Sequence, residues 1–546
     1  MCHPFRAYRE GVDTKHMLRG WAARSGVAHD AMRRLHGGVR LREKATALIR
    51  QDGQRRWLGT AGLVLALTAS HGAAKDPATS CSDICDTLTA SACTVTSGHE
   101  VAAGSDIDCT SDRDITIDSG GLVGGHDAEF TIRGKSLTLA NGGKIEADCD
   151  QGFTPIGFTV IVDEDVVFAA SSQSKMTARC DEEGGQIVVE AGGDIDVDAL
   201  GINVNGTAAD APGGYVRLDA GGTVTVLADV EAEATGGAAK GGRIFIRAQA
   251  IDVQAALSAK GYGNGTDGEM PGGDIVLDAS GDVEITAGGG LNVETAKGQG
   301  GTISIHAGGL VDVQEPLRAR GTSGAVGAGG GIEIIGDEVR LDADVIAIGG
   351  HHGGGVSVES RGGGIAVGAS AAAEIDVTGN SGEGGGSILL AARGGSVTLG
   401  GSADLVATGS GGGAGGTVSL RGVDVTTASG ASVTASGASP DGGGSIQVLS
   451  TGVLDLDGTM AANNGGRKTF VYRDGTPTVS GSITGYDLIQ IDTLAGPCGD
   501  GVRNAGSEDC DRYDLGGETC TAQGQGTGTL GCAGSCTFDY SGCSGS

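Results

Sequence analysis

Apolar and polar residues alternate along most of this chain, in short runs that recur at regular intervals. After Gly184, Ile187, Val189 and Ala191 alternate with Val188 and Glu190, Ile195, Val197 and Ala199 with Asp196 and Asp198, and Ile202 and Val204 with Asn203 and Asn205. After Gly272 the scheme returns as Ile275/Leu277/Ala279, Val283/Ile285/Ala287 and Leu291/Val293. A period of two places every second side chain on one face, so each unit predicts three short strands with an apolar and a polar side. No stretch of useful length beyond residue 74 has helical periodicity.

The units are punctuated by Gly-Gly-x-[Ile/Val], which begins at Gly184, Gly213, Gly241, Gly272, Gly300, Gly329, Gly353, Gly385, Gly415 and Gly443. The mean spacing is about 29 residues, within the range of solenoid repeats. Three strands cannot bury their apolar faces alone. Stacked units can, each strand pairing in parallel with its equivalent one unit on. Strand starts are unevenly spaced, the third interval being the longest, without the six-residue repeat of a left-handed helix. The prediction is an all-β chain folded as a right-handed parallel β-helix, one unit of about 29 residues per coil. The alternative is an array of two-sheet sandwiches. Glycines at the corners are expected to supply backbone conformations closed to other residues. The third corner is the longest and most variable (Gly261–Gly268, Gly321–Gly327); such corners are where solenoids carry binding function, but the Gly, Ser and Ala content here favours a solvated turn.

Composition agrees with a narrow repeating interior. Gly accounts for 106 of 546 residues and aromatic residues for only 3%, with both Trp in the first 60 positions. Beyond Ala74 lie 24 of the 37 basic and 63 of the 68 acidic residues, a net charge of −39. Such a surface repels nucleic acid and anionic membranes and attracts cations or basic partners.

Residues 1–74 are basic and contain Arg55-Arg56, an apolar run over 57–69 and small residues ending at Gly72-Ala73-Ala74. This is the layout of a secretory signal peptide, and the run is too short to span a bilayer. No transmembrane segment is expected in the mature chain, and Met32 is a second candidate start. Cys2 falls in this leader. The other cysteines form two groups of six: Cys81, Cys85, Cys93, Cys109, Cys149 and Cys180, then Cys498, Cys510, Cys520, Cys532, Cys536 and Cys543. Even groups in an exported chain read as disulfides, and the absence of any CxxC pair speaks against zinc. The expected organisation is a leader (1–74), an N-terminal cap with first coils (75–183), glycine-rich coils (184–466), a cap or linker carrying Phe470, Tyr472 and Tyr486 (467–497) and a disulfide module (498–543).

The module opens with Cys498-Gly499-Asp500-Gly501-Val502-Arg503-Asn504. It continues through Cys510-Asp511 and Asp514-Leu515-Gly516-Gly517-Glu518-Thr519-Cys520, and closes with Cys532-Ala533-Gly534-Ser535-Cys536-Thr537-Phe538-Asp539 and Cys543. It resembles the myxococcus-type cysteine-rich repeat, which implies an extracellular address, a disulfide role for these six cysteines and no catalysis. The coils resemble, in style, the glycine-rich β-helical regions of bacterial adhesin-like exoproteins.

Candidate chemistry is sparse. Gly526–Gly531 matches the dinucleotide pattern GxGxxG but lacks the strand and helix that the motif needs. His351-His352 sits at a corner with no further metal ligand placed by spacing, and His306 points outward. The acidic rows Asp194, Asp196 and Asp198, with Asp500, Asp509 and Asp511, are candidate Ca²⁺ ligands, calcium being the one cofactor in view. The expected function is that of a secreted or cell-surface structural and adhesion-type solenoid, non-catalytic, facing an extracellular polysaccharide or cell-surface partner. The alternatives are a β-helical polysaccharide lyase or glycoside hydrolase, and an acidic calcium-binding matrix component. Against the enzyme, coils 184–466 contain only Tyr215, Tyr262 and Phe245 as aromatics.

Overall fold

The computed structural model describes residues 77–546 apart from 127–128, 150–155, 170–172, 181, 238, 264–270, 322–326, 441, 474–475, 491–502, 504–508, 512–513, 534–535 and 545–546. The expected leader, Cys498, Asp500 and most of the two longest third corners lie outside the described residues.

The alternating segments form three long sheets, and consecutive strands of the chain visit them in strict rotation. In the unit at Gly184, Gln186–Ala191 belongs to sheet 1, Ile195–Val197 to sheet 2 and Ile202–Asn203 to sheet 3. Fifteen strands stack in parallel in each sheet; sheet 2 carries one more, Thr87–Leu88, which pairs antiparallel with Ala92–Val95. The chain is thus a parallel β-helix of fifteen coils, roughly 70 Å of ladder at about 4.8 Å per coil.

Register follows the apolar pattern. Ile187 pairs with Val216, Val216 with Ile244, Ile244 with Ile275 and Ile275 with Ile303, and the row continues through Ile332, Val356, Ile388 and Val418 to Ile446. Every member of this row is buried. A slip of one residue would turn the whole row to solvent, at about 1.5–3 kcal/mol per side chain. Coil length varies without disturbing the register, because the extra residues are taken up at corners. The coil that joins Ile332 to its partner Val356 is short, and the next, from Val356 to Ile388, is distinctly longer.

The Gly-Gly seam has a different cause from the one expected. None of these ten pairs lies in the left-handed region. Within each coil the second glycine donates its N–H back to the end of the sheet 3 segment, as in Gly330 to Ala319 (2.7 Å) and Gly354 to Ala347 (2.7 Å). The first donates to the following coil, as in Gly329 to His352 (2.9 Å) and Gly353 to Gly384 (3.1 Å). Glycine pairs of successive coils therefore lie directly on one another, and a Cβ on Gly330 would overlap the Gly301 carbonyl oxygen. Left-handed backbone occurs away from these pairs, at the second corner, for example at Ala199 (φ 66°) and Gly201 (φ 68°), and at the third, for example at Gly237 (φ 62°).

The ends are built from bulkier residues. Helix Cys81–Ile84 buries Ile84 completely, and the disulfides Cys81–Cys109 and Cys85–Cys93 tie it to the first coil. Cys149 and Cys180 are register partners in sheet 3, and their disulfide staples two consecutive coils. Phe130 and Phe158, stacked at 5.4 Å, fill the interior of this half. Asp86 clasps the first turn: its carboxylate accepts the N–H groups of Thr96 (2.7 Å) and Ser97 (2.8 Å), the Ser97 hydroxyl (2.7 Å) and a contact from His99 Nε2 (3.2 Å). The Thr96 N–H above all, with the Ser97 and His99 contacts, holds its carboxyl well below the usual carboxylate range.

At the other end the segment expected as a cap is itself solenoid through Gln490. Arg467–Tyr472 extends sheet 1, and the last coils shorten, Phe470 already finding its register partner at Leu488. Phe470 is fully buried and stacks on Tyr486 at 5.1 Å, so aromatic bulk occupies the final interior. Beyond it, Cys510–Cys532 and Cys520–Cys543 are disulfides, Cys536 is disulfide-bonded as well, and Gly531–Cys532 pairs antiparallel with Phe538–Asp539.

Two outcomes are expected. Gly330→Ala lowers unfolding free energy in denaturant titration by about 3 kcal/mol through overpacking, whereas Gly331→Ala, whose Cβ would meet nothing within 4 Å, is neutral or slightly stabilising. Asp86→Ala costs about 1–2 kcal/mol at pH 7. Because the folded-state pKa of Asp86 is depressed, its contribution is complete above the ordinary aspartate range and fades as pH falls below it, which paired pH titrations of the two proteins would read.

Candidate functional site

The outer face of sheet 1 brings aromatic, basic and acidic side chains together over three strands. Here three strands present successive outward residues: Tyr215, Arg217 and Asp219, then Arg243, Phe245 and Arg247, then Asp274, Val276 and Asp278. Register brings Arg217 beside Phe245, and sets Glu190, Asp219, Arg247 and Asp278 in one row. Alternation explains why these side chains face outward, since their neighbours Val216, Leu218, Ile244 and Ile246 are fully buried.

Two ion pairs cross this face. Arg217 is bound to Asp219, and that hydrogen bond first of all raises the guanidinium's affinity for its proton. Arg247 lies 3.3 Å from Asp278 and packs over the Phe245 ring, 5.2 Å from its centre. Two adjoining shallow depressions of about 460 and 450 Å³ share Arg247, Ala220 and Gly221; Glu190, Arg217 and Asp219 line one, Asp278 and Ser280 the other. Arg217 Nε and Asp219 Oδ1 are buried atoms without a hydrogen-bond partner in the protein. Both atoms are sealed from solvent, so what this face offers a sugar is the Phe245 ring beside the partly exposed Arg217 side chain. Tyr215 and Phe245 lie on adjacent strands of this face, Tyr215 opposite Arg243 and Phe245 opposite Arg217, because a single coil separates them.

Corner carboxylates have structural work. Asp165 accepts the N–H of Asp194 (2.8 Å), Asp194 that of Thr223 (2.7 Å), Asp282 that of Leu310 (2.7 Å) and Asp424 that of Val453 (2.7 Å). Each aspartate caps the first corner of the following coil. Among the proposed calcium ligands, Asp194 is one of these caps and Asp198 accepts the N–H of Ala199 (2.6 Å). Asp196 lies between Val167 and Thr225. In the terminal module Asp509 and Asp511 pair through their backbones with Cys536 and Asp514, and Asp511 is fully buried; Asp500 lies outside the described residues. Among the described residues, none of these aspartates belongs to a group of three ligand side chains within 4.8 Å of one another. Cys81, Cys85, Cys93 and Cys109 do form such a group, but as two adjacent disulfides.

A second acidic surface, on sheet 3, was not anticipated. Glu374 and Asp404 are register partners, with Asp376 beside them, and the Asp344 carboxylate accepts the Glu374 N–H (3.3 Å). Burial, and then the charges of Asp376, Asp404 and Asp344, push the Glu374 carboxyl above its usual range. Asp344, Glu374 and Asp404 stand 30 residues apart, one coil each, so the stacking of sheet 3 brings them together. His306 faces Glu333 of the next coil at 3.6 Å, and the His351-His352 pair lies at a third corner.

Fold and surface together define a parallel β-helix protein with disulfide-bonded ends. Comparison with known proteins finds no match among family models, curated proteins or solved structures. No helix among the described residues is long and apolar enough to cross a membrane.

Glu374→Gln is expected to raise the thermal midpoint at pH 7 by about 1 °C. A carboxyl whose folded-state pKa is raised costs stability where it is ionised, so the gain shrinks as pH falls through the range in which Glu374 takes up its proton. Calorimetry of both proteins from pH 7 to pH 4 checks this.

Proposed function

We propose that this is a secreted or cell-surface structural and adhesion-type protein without catalytic activity. Its solenoid is a stiff spacer, and the sheet 1 face around Arg217 and Phe245 is the place where an extracellular polysaccharide docks. The observation that carries the reading is the unbroken fifteen-coil ladder, locked by disulfides in its first coils. A rod of stacked coils transmits distance, and disulfides persist in oxidising surroundings. The leader and the resemblance of the terminal module to a repeat of secreted and surface proteins support the same address. The aromatic–arginine face supports a neutral or acidic glycan, since rings stack on sugars and guanidinium groups pair with carboxylates.

The alternative of a glycan-cleaving enzyme draws on Glu374, a carboxyl that retains its proton more readily than an ordinary glutamate on an acidic face. The calcium-binding alternative draws on the same carboxylates.

A panel of neutral and acidic polysaccharides, offered with and without Ca²⁺ and scored for both retention and cleavage, separates these. Retention without cleavage, weakened at least tenfold by Arg217→Ala or Phe245→Ala, is expected. Cleavage of any polymer overturns the non-catalytic reading and directs attention to Glu374 and Asp404. Retention that requires Ca²⁺ and ignores Arg217 and Phe245 moves the function to the acidic face.

A further inference from the structure

We propose that His351, His352 and Glu383 form a binding site for one divalent transition-metal ion of the zinc class. The two histidines follow Gly349-Gly350 at the third corner of one coil, and Glu383 lies between Gly382 and Gly384 at the same corner of the next. His351 Nε2 is 3.6 Å from Glu383 Oε1, and His352 Nε2 is 3.2 Å from Oε2. The imidazole rings meet edge to face with centres 4.7 Å apart, and one ligand atom from each of the three side chains falls within 4.8 Å of the others. Around a tetrahedral zinc ion with bonds of about 2.0–2.2 Å, ligand atoms stand about 3.4 Å apart. The set closes on an ion with small side-chain rotations.

Both corners are held by backbone hydrogen bonds. Gly350 donates to Gly321 (2.7 Å), His351 to Gly327 (2.7 Å), and the His352 carbonyl accepts from Gly329 (2.9 Å). In the next coil Gly382, at φ +94°, donates to Ser410 (2.9 Å), and the Gly384 carbonyl accepts from Gly353 (3.1 Å). The ligands therefore project from pinned backbone, which reduces the ordering cost of binding. The side chains of His352 and Glu383 are 53% and 46% exposed, so an ion reaches them from solvent.

Donor chemistry selects the class of ion. Two imidazole nitrogens and one carboxylate suit zinc, copper or nickel, whereas calcium and magnesium require a shell of oxygens. Three protein ligands leave a fourth position for water or for a group from another molecule. A bound ion would also cross-link two coils in a region far along the chain from the disulfides. The site is independent of the polysaccharide reading.

The test is a calorimetric Zn²⁺ titration of the full chain, disulfides intact, free of reductant and of any polyhistidine tag. Expected is one Zn²⁺ per chain with micromolar or tighter affinity, weakened at least tenfold by His351→Ala and by Glu383→Gln. His306→Ala, at the similar but two-membered His306–Glu333 contact, leaves it unchanged. Co²⁺ in place of Zn²⁺ should give a visible ligand-field band in the parent protein that Glu383→Gln alters. Circular dichroism of each variant verifies that it is folded. Absence of stoichiometric binding, binding that survives both substitutions, or equal competition by Ca²⁺ would each overturn the proposal, leaving His352 and Glu383 as a surface ion pair only.

Discussion

Each coil of this protein completes its backbone hydrogen bonding only through the coils on either side, because the three strands of a coil belong to three different sheets. Parallel pairing between coils is therefore the constraint from which the other features follow. It sets the rise, it keeps the inward rows of Ile, Val and Leu in register over most of the chain, and it leaves corners as the places where length can vary. It also accounts for the glycine seam. Where successive Gly-Gly pairs stack backbone on backbone, there is no room for a Cβ.

A ladder of this kind has two open ends, and the chain treats them differently from its middle. The first coils concentrate disulfides and internal phenylalanines, with Asp86 tying the first turn to Thr96 and Ser97. The last coils shrink around Phe470 and Tyr486. Between them the interior needs only aliphatic side chains, because each coil is sealed by its neighbours and the strand edges exist only at the ends. This explains an aromatic content that would be too low for a single large core.

Acidic residues divide by position. At first corners, aspartates such as Asp194 and Asp282 accept backbone N–H groups of the following coil and belong to the architecture. On strand faces, Asp219 and Asp278 neutralise arginines, while Glu374 stands among like charges. The first group holds coils together, and the second shapes surfaces that a glycan or a cation would meet. The function proposed for the protein lies with the second group, and its rigidity with the first.

Most of the fold was legible along the chain. Period-two alternation and the regular return of Gly-Gly specify strands, stacking and register, because both report directly on which side chains face inward. Cysteine numbers separated the disulfide-bearing ends from the cysteine-free middle, but the pairings did not follow: Cys149 meets Cys180 only because sheet 3 makes them register partners. The candidate sites were less legible. Tyr215, Arg217, Phe245 and Arg247 could be read as residues, yet their common face depends on coil length. Glu383 belongs to the coil after the one that carries His351, and only the closure of that complete turn brings the two together. What the sequence determined by itself was the repeating unit, since alternation is local. Which side chains from different units become neighbours was decided by the tertiary structure, because corners of unequal length shift that pairing from coil to coil.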